Sequence, residues 1–150
     1  PLSSYEDLAA FKIYLADVGV LRRLARLDPV AFREGNRLFT EFKGALTENF
    51  VLQSLVSQFD ASVHYWSRIN PTYEVDFIVQ YENDIIPIEV KSETNVKSRS
   101  LKKYAEEFSE ATRLRVRFSL NNLRMDDGVL NIPLFMADQA TRLMRIARST

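Results

Sequence analysis

Tyr73-Glu74-Val75-Asp76-Phe77-Ile78-Val79-Gln80-Tyr81-Glu82-Asn83-Asp84-Ile85-Ile86-Pro87-Ile88-Glu89-Val90-Lys91 is the stretch that decides the fold. Two strand-like runs, Tyr73 to Tyr81 and Ile85 to Lys91, flank the polar turn Glu82-Asn83-Asp84, so the stretch reads as a β-hairpin. Successive side chains of a strand alternate faces, which puts Glu89 and Lys91 on one side. A hairpin that brings Asp76 alongside Glu89 gathers two carboxylates and one ammonium on a small patch. Two carboxylates suit a hard cation such as Mg²⁺, and a nearby lysine can hold a water or stabilise a phosphate. Two such anions about 4 Å apart, at an effective dielectric near 20, repel by roughly 4 kcal/mol. One of the pair is therefore expected to bind its proton more tightly than a free carboxylate.

Upstream, Gly44 to Phe59 carries the clearest helical pattern, with Glu48, Val51, Leu52, Leu55 and Phe59 on one stripe. Glu48 thus sits on an apolar face, where an unpaired carboxylate is costly. Ser62 to Trp66 reads as a strand that ends at Asn70-Pro71. Near the start, Phe11-Lys12-Ile13-Tyr14-Leu15 alternates like a strand. Asp17 is placed to cap a helix through Val20, Leu21, Leu24 and Leu27, which Asp28-Pro29 stops. Residues 29–43 are ambiguous, helical in part.

Downstream, Ser92 to Ser100 is a polar loop. Ser100 is then expected to cap a helix with the stripe Leu101, Tyr104, Ala105, Phe108 and Thr112. Its outer face pairs Lys102 with Glu106 and Lys103 with Glu107 at four-residue spacing. Arg113 to Leu120 alternates arginine with apolar residues, as a half-buried strand with a basic outer row would. Met125-Asp126-Asp127-Gly128 is a turn before a short strand, Val129 to Phe135. A last helix buries Met136, Ala140, Leu143, Met144 and Ala147 and leaves Arg142, Arg145 and Arg148 on a solvated face.

With 150 residues, 46% of them hydrophobic, the chain suits a single domain, residues 1–150, with a real core. Twenty basic residues balance twenty acidic ones, so overall charge calls for no polyanion. The charge is unevenly placed, however. Residues 71–90 hold five acids and no lysine or arginine, and residues 91–124 hold nine bases against four acids. An acidic cluster followed by a basic stretch suits a metal site flanked by phosphate contacts. Lys97, Arg99, Lys102 and Lys103 are the expected nucleic-acid contacts. Cysteine is absent, which removes disulfides and thiolate metal sites. No G-x-x-x-x-G-K-[ST] loop occurs, so no ATP site of that kind is expected here. His64, the one histidine, has no nucleophile motif around it and reads as structural.

A lone Glu-x-Lys is weak, and Glu41-Phe42-Lys43 also fits it, in a helical context where the side chains diverge. The order is more specific: a helix bearing Glu48, a strand bearing Asp76, a strand bearing Glu89 and Lys91, then a helix and another strand. This order resembles the αβββαβ core of the PD-(D/E)xK nuclease superfamily, the restriction-endonuclease-like fold. Three stretches also resemble a C-terminal domain of unknown function found on many prokaryotic AAA-type ATPases. They are Phe11 to Val20, Gly44 to Val51, and Glu74-Val75-Asp76-Phe77 with Ile88-Glu89-Val90-Lys91. The likeness spans residues 8 to about 135. It implies an α/β fold with a mixed central sheet flanked by helices, and Glu48, Asp76, Glu89 and Lys91 on the superfamily's metal and catalytic positions. The resemblance is departed from at Tyr73-Glu74-Val75, which replaces the proline of the motif's name.

The expected function is a Mg²⁺- or Mn²⁺-dependent nuclease-like domain acting on DNA phosphodiester bonds, C-terminal to an ATPase module in a longer cytoplasmic protein. Asp76, Glu89 and Lys91 would be catalytic. Glu48, Asp76, Glu89 and the Val90 carbonyl would hold the metal. The alternative is a non-catalytic DNA- or protein-binding module of the same ATPase. No apolar run suggests a membrane span.

Overall fold

The computed structural model describes residues 2–27, 37–59, 62–69, 72–94 and 98–149, the side chains of 37–41 excepted. Among these lie the helices α1 (Val18–Leu24), α2 (Arg37–Val56), α3 (Arg99–Glu107) and α4 (Ala140–Ser149). The strands are β1 (His64–Arg68), β2 (Tyr73–Tyr81), β3 (Asp84–Val90), β4 (Arg115–Ser119), β5 (Arg124–Asp126) and β6 (Val129–Pro133). They form one mixed sheet in the order β1-β2-β3-β4-β6-β5. The first three strands are antiparallel, β3, β4 and β6 are parallel, and β5 closes the far edge antiparallel to β6. The chain is thus a mixed α/β domain with helices around a six-stranded sheet, and α2-β1-β2-β3-α3-β4 follows the expected αβββαβ order.

The decisive hairpin forms where its pattern puts it. Tyr81 pairs with Asp84 across a tight turn whose Glu82 takes φ 56°, a left-handed conformation that strains a residue bearing a Cβ. Ile86, Ile88 and Val90 of β3 pack with Phe77 and Val79 of β2, Val116 and Phe118 of β4 and Val51 and Leu55 of α2 in the main core. Val75 and Ile78 pack on Leu101 and Tyr104 of α3 in a second cluster on the opposite side. The central strands are covered on both faces, the usual state of parallel sheet. No helix among the described residues is long and apolar enough to cross a membrane.

Several local expectations are revised. Phe11 to Leu15 keeps its alternation but joins no strand ladder, because the backbone of Leu15 bonds to a side chain of α2 instead. Asp17 does cap α1, accepting from Val20 N–H at 3.0 Å, but the helix stops at Leu24. The stop assigned to Asp28-Pro29 lies outside the described residues. α2 begins at Arg37, so the second half of the ambiguous stretch is helical. Ser98, not Ser100, stands at the N-cap of α3, and the helix ends at Glu107, short of Thr112. Lys103 pairs with Glu106 rather than Glu107, which meets Arg68 instead. β4 is buried on both faces rather than half-buried, and Arg117 on its second face is held by Ser98 at the N-cap of α3 and by Asn131 of β6. Arg148 is no solvated residue either. It donates to Asp84 and Glu82 at 2.9 and 3.0 Å and lies over the Tyr81 ring, fastening α4 to the hairpin turn.

Candidate active site at the end of the central strands

The ladder between β2 and β3 runs from Tyr81↔Asp84 to Phe77↔Ile88 and stops one residue short of Asp76 and Glu89. Beyond that point a side chain replaces the backbone: Asp76 Oδ2 accepts from Val90 N–H at 2.7 Å. On its other flank β2 carries a bulge, with Tyr65 of β1 opposite both Asp76 and Phe77, between His64↔Ile78 and Trp66↔Val75. A bulge breaks the two-residue alternation and re-aims a side chain. Val75 and Ile78, three residues apart, accordingly pack on the same side. Asp76 is the residue at the break, largely buried and within reach of the charges of Glu48, Lys91 and Lys12.

Burial lifts the Asp76 pKa from the ordinary 3.8 to about 6. The Val90 N–H bond works against the rise, the negative charge of Glu48 adds to it, and Lys91 and Lys12 oppose it. A carboxyl with raised proton affinity was expected here. Its source differs: loss of water comes first, and the repelling neighbour is Glu48 rather than Glu89.

Glu89 leaves β3 on the α3 side, opposite to Ile88 and Val90. It is 3% exposed and pairs with Lys91 Nζ at 3.0 Å, the same-face contact that the two-residue spacing predicts. Its Oε2 atom is buried and accepts no hydrogen bond. Beneath α3 the charge of Glu89 also reaches Arg117, which is 7% exposed. Arg117 donates to Asn131 Oδ1 at 3.1 Å and to Ser98 Oγ at 2.8 Å. Burial pulls the arginine's proton affinity down, and Glu89 pulls it back up. Read as part of a solvated row, Arg117 gave no sign in the sequence of this position.

Glu48 comes from the α2 side. Its Oε2 accepts from the Tyr14 hydroxyl at 3.2 Å, and the Tyr14 ring packs on Phe77 with centroids 5.7 Å apart. Burial, then the charge of Glu48, push the Tyr14 phenol well above its usual range. Glu74 is ion-paired with Lys12. Lys12 and Tyr14 were both missed as site residues. Their only signal was a polar residue at each inward position of an otherwise apolar alternation.

The structure thus joins Asp76 to the Val90 backbone, Glu89 to Lys91 and Glu48 to Tyr14, with Asp76 feeling both Glu48 and Lys91. It does not draw three acids into one metal-sized cluster among the described residues. The Asp76 carboxylate, the Val90 carbonyl and the unpartnered Glu89 oxygen are the groups fit to take a hard cation. All lie where β3 ends. The carboxyl ends of parallel strands are where α/β sheets commonly present ligand sites.

Of the expected nucleic-acid contacts, Arg99 and Lys102 are exposed in the first turn of α3 and Lys103 is half-buried beside Glu106. Lys97 lies outside the described residues. The Ser98 side chain makes no capping bond to α3; its hydroxyl oxygen accepts from Arg117 instead.

A family model described as Domain of unknown function (DUF4143) matches residues 43–136, about three fifths of the chain, and the chain belongs to that family. No curated protein and no solved structure matches it.

Proposed function

We propose that this member of the family is a Mg²⁺- or Mn²⁺-dependent phosphodiesterase acting on DNA, built on a nuclease-like αβββαβ core and joined to an ATPase module in a cytoplasmic protein. The observation that supports it best is the buried Glu89 Oε2. A carboxyl oxygen out of water with no donor is costly, and it sits on the strand end paired with the strand of Asp76. Asp76, Glu89 and the Val90 carbonyl would hold the ion, with Glu48 completing the set. The ion would neutralise charge on a phosphoryl oxygen and ease deprotonation of a bound water. Lys91, 40% exposed at its side chain, has room to leave Glu89 and meet the charge that develops on phosphorus-bound oxygens. Arg99, Lys102 and Lys103 hold the flanking backbone phosphates.

The test is cleavage of single-stranded, duplex and branched DNA with Mg²⁺ or Mn²⁺, by the wild type and by Glu89→Gln. Metal-dependent cutting that the variant loses supports the reading. Equal cutting by both, or none by either, rejects it. One observation favours the second reading, a non-catalytic DNA- or protein-binding module. Each acid already has a protein partner, and no three acids cluster among the described residues. DNA binding without cutting, unaffected by metal, would establish that module.

A further inference from the structure

We propose that the strap Lys12–Tyr14, outside the residues matched by the family, is a working part of the acid site, with Tyr14 the positioning residue for Glu48. This rests on the metal-dependent reading above. Phe11, just before the strap, and Ile13 within it are 73% and 82% exposed, while Lys12 and Tyr14 turn inward. Hydrophobic burial alone would give the reverse, so polar contacts set the strap's orientation.

Those contacts come from α2. Asn49, 1% exposed, accepts from Leu15 N–H at 2.9 Å and donates to Leu15 C=O at 3.0 Å. Both bonds resemble those a neighbouring strand would make. One turn further along α2, Gln53 accepts from Val18 N–H at 3.1 Å. Asn49 follows Glu48 directly in the chain, so the clamp that fixes the strap also fixes its distance from Glu48. The Tyr14 hydroxyl then holds Glu48 Oε2 at 3.2 Å, while Phe77, the neighbour of Asp76, supports the ring. On the other side Lys12 is paired with Glu74, and its charge reaches Asp76. A cavity of about 320 Å³ opens between strap and helix, lined in part by Lys12, Tyr14, Glu48 and Asn49. Holding one carboxylate oxygen leaves the other to face an ion, which is how outer partners orient metal ligands.

The test uses Mn²⁺ binding to the whole chain, followed by calorimetry, so that it does not depend on cleavage. Tyr14→Phe keeps the ring on Phe77 and removes only the hydroxyl. It should weaken Mn²⁺ binding roughly ten-fold, the usual loss for an outer partner. Ile13→Thr, on the outward face, should bind Mn²⁺ as the wild type does. Unchanged binding by Tyr14→Phe, or equal weakening by Ile13→Thr, overturns the proposal while the metal reading stands. A wild type that binds no Mn²⁺ overturns both. Amide exchange in the unaltered protein is a second readout: Mn²⁺ should slow exchange at Leu15 N–H, and exchange indifferent to Mn²⁺ also overturns the role of the strap.

Discussion

Asp76→Asn should make the metal-free domain more stable at neutral and alkaline pH, although it alters a buried, hydrogen-bonded residue. The Asp76 carboxyl titrates at about 6 in the fold against an ordinary 3.8. The native state therefore binds more protons than the unfolded chain between these values, and unfolding free energy falls as pH rises through that window. The stability is fully present below 3.8 and lost by about 6, so above it the charged side chain costs the fold about 3 kcal/mol. Asparagine carries no charge to desolvate and can still accept from Val90 N–H, although a neutral acceptor is weaker by about 1 kcal/mol. The net gain near pH 8 is about 2 kcal/mol, which for a chain of this size raises the melting temperature by roughly 4–8 °C. Near pH 4.5 the wild type already carries most of the proton and the gap should largely close. Thermal melts of both proteins in chelator at the two pH values decide the matter. If the Asp76→Asn protein melts lower than the wild type at high pH, or the gap does not change with pH, burial is refuted as the cause of the raised proton affinity.

Other perturbations follow from single contacts. Arg148→Ala leaves the buried Asp84 with, among the described residues, the exposed Arg113 at 3.7 Å as its remaining ion-pair partner, and it should cost about 3–5 kcal/mol in a denaturant melt, much of it recovered by adding Asp84→Asn. Asn131→Leu removes the acceptor of Arg117 and Ser119 and the donor to Asn121 and Asn122, so unfolding free energy should fall by about 2–4 kcal/mol. Charge reversal at Lys102 and Lys103 should weaken DNA binding at low salt and flatten its salt dependence, read by fluorescence anisotropy; unchanged affinity would remove this face of α3 from the proposed interface.

The hairpin was legible because its two runs and polar turn need only local information, and α1 because Asp17 carries its own capping chemistry. The bulge at Asp76 was not legible, since it is set by the register of β1 and no glycine marks it. Nor was the strap: its backbone finds its partner in a side chain 34 residues away, so alternation suggested a strand where there is no ladder. Arg113, Arg115 and Arg117 look alike in the sequence, yet of the three Arg117 is the buried one, held by Asn131 and Ser98, and nothing local shows that the second face of β4 is covered. The acids Glu48, Asp76 and Glu89 could be named from their places on elements. Their individual partners depend on how three elements end together, and that is a tertiary fact.

The contrast among buried polar groups bears most directly on what the site is for. Asn131 is satisfied four times over, accepting from Arg117 and Ser119 and donating to two carbonyls. Asn49 is spent on the strap, and Asp84 on Arg148. These buried polar side chains are satisfied within the fold. Among the described residues three buried side-chain atoms go without a partner, His64 Nδ1, Thr112 Oγ1 and Glu89 Oε2. The first two are a ring nitrogen and a hydroxyl oxygen, and leaving such atoms bare costs about 1–3 kcal/mol each. A carboxylate oxygen costs more, and Lys91 engages only its twin. A purely structural Glu89 would gain from a donor on that oxygen or from replacement by an apolar residue of similar volume. An acceptor left bare beyond the end of the β2–β3 ladder is what a bound cation would satisfy, and this asymmetry is the reason the metal-dependent reading is proposed ahead of the passive one.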